Sequence, residues 1–152
     1  MISEPQVKLH VQRVYRGRIP TKVLLQRWIA EVLRRFRTCT ELTLRVVDLA
    51  ECAELNQTWR RRTGPTNVLS FPASGLETVA PHFLGDIVIC APLVRHEAAT
   101  QGKTIEAHWA HLVVHGTLHL LGFDHLKPVD ARKMEGIEKR VLRTLGYPDP
   151  YR

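Results

Sequence analysis

Three histidines in the C-terminal third, His115, His119 and His125, fall at relative positions 0, 4 and 10, with Gly122 at position 7. Residues four apart on an α-helix share one face, about a turn from each other. A glycine can take the left-handed backbone that ends a helix, so His125 can swing back toward the other two. Three neutral imidazoles around one ion, with a fourth position open, make a catalytic zinc site; a structural site is closed by four ligands. Water at such a site ionises near neutral pH, which suits hydrolysis. Nickel, copper and iron accept the same donors. His111 lies four residues before His115. Residues 111, 115 and 119 on one helix, however, spread over about 12 Å at about 1.5 Å rise per residue. The 115/119/125 set is therefore the metal trio, one ion per chain, with His115 also placed at the chemistry. His111 is left to hydrogen-bond to a ligand ring or to pack.

The residues around the trio narrow the reaction. Zinc proteases with His-Glu-x-x-His take their general base from the glutamate. Here Gly116 and Thr117 follow His115, so the ligand frame of the metzincin proteases is present without its base. RNA cleavage depends less on such a base, because the 2′-OH is an internal nucleophile. Asp124 beside His125 can hold a ligand imidazole by its other ring nitrogen or serve as a turn carboxylate. Asp86, an acid within the apolar run Leu84 to Cys90, is read as a similar partner or as a buried acceptor.

A second cluster is Trp59-Arg60-Arg61-Arg62 ahead of Gly64-Pro65. Guanidinium groups bind phosphates through planar, two-point contacts, and an indole can stack on a base. The blander reading puts Trp59 in the core and leaves the arginines as a solvated helix end favouring its dipole.

These groups need a scaffold. Alternation over residues 6–14 and at Leu42, Leu44 and Val46 predicts two strands. Asn67 to Phe71, ended by Pro72, and Leu84 to Cys90 predict two more. Amphipathic or capped runs predict helices over Pro20 to Arg37, from Asp48 to about Arg60, over Pro92 to Gln101, from about Thr104 through the histidines, and from about Pro128 to Leu145. The sum is an α+β fold in a single domain over residues 1–152. About four strands form one mixed sheet packed with five or six helices, and the metal-binding helix is central.

The 152 residues carry a net charge of +7. Residues 1–62 hold 13 Lys+Arg against 6 Asp+Glu, and residues 63–152 hold 9 against 9, so the whole excess lies upstream of the trio. Such a surface attracts polyanions, nucleic acid first. Cys39, Cys52 and Cys90 are odd in number and form no Cys-x-x-Cys pair, so free thiols in a reducing compartment are expected. No apolar run is long enough to span a membrane, and Met1 to His10 lacks a signal-peptide pattern. A cytoplasmic location is the expectation.

The strings LNQTWRRRTGPTNVLSFP (55–72), LGDIVIC (84–90), HWAHLVVHGTLHLLGFDH (108–125) and GYPDPY (146–151) together resemble the YbeY endoribonuclease family of rRNA maturation factors. The match runs in order over about residues 40–152, and the first 40 residues agree by layout only. The resemblance implies a metal-dependent, single-strand-specific endoribonuclease acting in 16S rRNA 3′-end maturation and ribosome quality control. It implies zinc on His115, His119 and His125, Arg60 as the essential arginine, and precursor 16S rRNA and small-subunit components as partners. The acidic residue that the family usually carries near position 63 or 64 is replaced by Thr63-Gly64. Two rival classes are a metalloprotease-like hydrolase and a ribosome-binding protein with a structural metal.

Overall fold

A computed structural model describes residues 4–152. The described residues form four strands and five helices: β1 (Gln6–Arg13), α1 (Lys22–Leu33), β2 (Cys39–Val47), α2 (Leu49–Arg60), β3 (Val68–Pro72), β4 (Phe83–Cys90), α3 (Ala91–Gln101), α4 (Ile105–Leu120) and α5 (Pro128–Leu145). The sheet order is β1-β2-β4-β3. β1 runs parallel to β2 and β2 parallel to β4, while β3 pairs antiparallel with β4. The expected α+β fold with a mixed four-stranded sheet is the one observed.

The strand pattern explains which face each side chain takes. On β2, Leu42, Leu44 and Val46 are buried at every second position. They join Leu9, Ile87 and Ile89 in the main core, which α1, α3, α4 and α5 complete through Trp28, Val94, Trp109, Leu118 and Met134. Successive side chains on a strand point to opposite faces. The other face therefore carries a smaller cluster of Val47, Leu69, Val88 and Cys90, covered by Cys52 of α2. β4 lies between β2 and β3 with both faces covered, and Ile87 to Cys90 are buried without a break, as a doubly covered strand requires.

Two predicted boundaries are corrected. α1 starts at Lys22 behind an N-cap at Thr21, whose Oγ1 accepts from the Leu24 N–H at 3.3 Å, so Pro20 stands before the cap and not in the first turn. The helix ends at Leu33, short of the expected Arg37. The Phe36 and Arg37 amides both turn back to the Leu33 carbonyl. This brings Phe36 edge-on to Phe123, 5.6 Å between centroids. The capping box at α2 is half formed. Asp48 accepts from the Glu51 amide at 3.0 Å, but the Glu51 carboxylate is taken by Arg45, 2.9 Å at its second oxygen. α4 begins at Ile105 behind an N-cap at Thr104, close to its expected start, and Pro72 lies within β3, an edge strand that tolerates proline.

Candidate active site

α4 is anchored before it presents anything. Its apolar side, with Trp109, Leu112, Val113 and Leu118, is buried in the main core. The Ser70 hydroxyl of β3 donates to the Gly116 carbonyl at 3.0 Å, which ties the helix to the sheet edge. The opposite side of α4 carries His111, His115 and His119.

The chain after α4 turns by a defined device. The Phe123 amide donates to the Leu118 carbonyl and the Gly122 amide to the His119 carbonyl, each at 3.0 Å. Gly122 has φ 100°. This is the Schellman closure, and it needs the left-handed residue that glycine supplies. Asp124 continues the reversal, its Oδ1 accepting from the His125 amide at 2.6 Å and the Leu126 amide at 3.0 Å. Of the two roles open to Asp124, the structure places it in the turn, where it aims His125 through the backbone and not through a ring nitrogen.

The result is a compact trio. Ring centroids lie 4.6 Å apart for His115 and His119, 4.9 Å for His119 and His125, and 5.3 Å for His115 and His125. One ligand atom from each ring falls within 4.8 Å of the others. The Nε2 atoms of His115 and His119 are 3.1 Å apart. Two nitrogens at about 2.0–2.1 Å from a tetrahedral zinc sit about 3.3 Å from each other, so the donor set fits such an ion. Burial, with the charges of His115 and His125 adding to it, pushes the His119 pKa down to about 4. Its imidazole is therefore neutral at physiological pH, the form that binds metal.

A carboxylate that sequence reasoning missed stands behind the trio. Glu138 of α5 is fully buried. It accepts from His115 Nδ1 at 3.0 Å, His111 Nε2 at 2.7 Å and the Tyr151 hydroxyl at 2.9 Å. Burial alone would raise its pKa, but the hydrogen bonds of His111 and His115 outweigh that and hold it near 2. A signal was present in the sequence. Glu138 lies on the apolar stripe of α5 with Met134, Ile137, Val141 and Leu142, all buried, and a carboxylate there requires partners. His111 thus joins the site through Glu138. Asp86 does not. Its neighbour Ile87 lies against α4 at Gly116, so Asp86 points to the other face of the sheet, and the reading of Asp86 as an imidazole partner is corrected by strand parity.

The trio opens on a cleft of about 600 Å³ whose walls include Trp59, Arg60, Arg62, Ser70 and Phe71. Arg60 is the last residue of α2, and Arg61 caps it in the left-handed conformation with φ 54°. That bend leaves Arg60 and Arg62 on the cleft wall and Arg61 off it. Trp59 is 66 % exposed and meets Phe71 edge-on at 6.0 Å, so it is a wall residue and not a core residue. The two clusters that the sequence holds far apart share one cavity.

A family model described as endoribonuclease YbeY matches residues 15–146. The chain belongs to the YbeY endoribonuclease family. A YbeY endoribonuclease of Stutzerimonas stutzeri is 51% identical over 146 residues, covering 95% of this chain and 91% of the relative. One from Pseudomonas putida is 48% identical over 146 residues, covering 95% and 93%. The solution structure of a Thermotoga maritima protein shares the fold at TM-score 0.58 and 24% identity, covering 95% of this chain and 99% of that one. No helix of the described residues is long and apolar enough to cross a membrane.

Proposed function

We propose that this chain is a zinc-dependent endoribonuclease, specific for single strands, acting in 16S rRNA 3′-end maturation and ribosome quality control in the cytoplasm. Residues 1–152 form its one catalytic domain. The observation that carries the reading is the shared cavity: three convergent imidazoles and two arginines facing one space. The repeating backbone of a peptide carries no charge to match those arginines, whereas every nucleotide brings a phosphate.

His115, His119 and His125 would hold the ion. When bound, zinc supplies Lewis-acid charge at phosphate oxygens and acidifies water. Arg60 engages the scissile phosphate through its guanidinium fork and neutralises charge that grows in the transition state. Arg62 holds a neighbouring phosphate, and the exposed Trp59 indole stacks on an unpaired base, which a duplex does not offer. Glu138 does not act as general base, because it is fully buried and its two oxygens are met by three donors. The 2′-OH of the substrate fits this lack of a base. The partners expected from this reading are precursor 16S rRNA and components of the small ribosomal subunit.

The test is cleavage of a single-stranded rRNA fragment and of its duplex by purified protein, with and without chelator, beside His115→Ala and His119→Ala. Single-strand cleavage lost in all three perturbations is expected. Cleavage that survives them removes the metal trio from the reaction. A 2′,3′-cyclic phosphate product identifies 2′-OH attack.

A further inference from the structure

We infer that Glu138 is the positioning residue of the metal centre, and that the C-terminal Gly146–Tyr151 segment serves as its seal by placing Tyr151 on it. A carboxylate only accepts hydrogen bonds, so each group facing Glu138 must donate. His115 therefore carries its proton on Nδ1, 3.0 Å from the carboxylate. Its lone pair is then on Nε2, the atom 3.1 Å from His119 Nε2 and facing the cleft. His111 donates through Nε2, which leaves its buried Nδ1 without a partner among the described residues. That orphan marks His111 as a ring recruited to Glu138. An acceptor behind a ligand histidine fixes its tautomer and ring plane. Here the acceptor comes from α5, so the helix that closes the core also sets the ligand.

The tail is built to complete this arrangement. The Tyr151 hydroxyl gives Glu138 its third donor at 2.9 Å, and the Tyr151 ring meets His111 edge-on at 5.4 Å. Several contacts hold the tail in place, among them that of the Tyr147 hydroxyl, which donates to Glu106 at 2.7 Å. Asp149 accepts from the Tyr151 amide at 2.9 Å, and Lys103 donates to the Pro150 carbonyl at 2.8 Å. The conspicuous GYPDPY ending thus has a task remote from the cleft, which is to keep a buried carboxylate supplied with donors and closed from water.

The inference rests on the metal reading of the trio, and the experiment separates the two. Zinc affinity is measured by chelator competition for the full chain, Glu138→Met, Glu138→Gln and Tyr151→Phe, with circular dichroism to confirm folding. The methionine keeps volume and removes both acceptors, and affinity should fall by about 10- to 100-fold. Glutamine retains one acceptor and should restore part of that loss. Tyr151→Phe should bind a few-fold more weakly. In the metal-free parent, ¹⁵N spectra of the imidazoles should show His115 protonated on Nδ1, a readout that needs no variant. A parent that binds no zinc removes the metal reading. A parent that binds zinc, with a folded Glu138→Met that binds it equally well, overturns this inference alone, as does a His115 proton found on Nε2. An unchanged Tyr151→Phe removes the tail from the device.

Discussion

Acidifying the metal-free protein should destabilise it through His119, and substituting His119→Gln should remove that sensitivity. In the unfolded chain this imidazole takes up a proton near its ordinary value of 6.5, while in the fold it resists until about 4. Burial is the larger cause, and the neighbouring rings of His115 and His125 add to it. The sign follows: below 6.5 the unfolded state binds the extra proton, so stability is full above that value and is lost as pH falls toward 4. A gap of about 2.5 units at about 1.36 kcal/mol each sets a limit near 3.4 kcal/mol. At pH 4.5 about 2.5 kcal/mol of this is expressed, reduced to about 2 kcal/mol because solvent reaches part of the ring. The assay is urea unfolding followed by fluorescence of the buried Trp28 and Trp109, with chelator present, at pH 7.5 and 4.5. Groups that do not interact with His119 titrate alike in both proteins and cancel in the difference. The stability of the parent relative to His119→Gln should therefore fall by about 2 kcal/mol between the two pH values. A difference that stays within about 0.5 kcal/mol would refute the claim that His119 is held neutral by its surroundings.

Arg60→Ala should lower turnover on single-stranded RNA by about 10²- to 10³-fold while zinc content, read by metal analysis, stays at the parent level. Loss of the metal in this variant would make Arg60 structural. Gly85→Ala should destabilise the fold by at least about 3 kcal/mol in chemical denaturation. Its φ is +144° and an added Cβ would stand 2.3 Å from the Phe71 carbonyl oxygen, so near-parental stability would contradict the described pairing of β3 with β4. Ser70→Ala removes the bond from β3 to α4 and should cost about 1 kcal/mol in the same assay.

The trio was legible in the sequence because its geometry is local. Helix period and one glycine turn confine three imidazoles, and both are written within eleven residues. The cleft was half legible. Arg60 was found by its place in a string, but that Arg62 shares the wall and Arg61 does not depends on a left-handed C-cap that no residue type announced. Trp59 could be read as core or wall, because an aromatic at a helix end is the same letter in either place. Glu138 was missed for a tertiary reason. Its partners His111, His115 and Tyr151 lie on another helix and on the tail, and only packing unites them. Of the two readings of Asp86, the one beside a ligand imidazole fails because strand alternation next to Ile87 turns the side chain to the other face. The α1 boundary was set too late because Phe36 continues the apolar spacing while it serves the Phe123 loop.

The parallel pairing of β1 with β2 and of β2 with β4 has a kinetic consequence. Leu9 must find Leu42, and Leu44 must find Ile87, each across an intervening helix. Closures of that length make a sheet slow to assemble. The three ligand histidines themselves lie on one helix end and its turn, and Glu138 adds its support once α5 has packed. If zinc binds there as proposed, a nascent chain captures the ion before its sheet is complete. Zinc held by such incomplete states would then offset part of any stabilisation it gives the finished fold. Refolding rate and final stability should thus respond differently to added zinc.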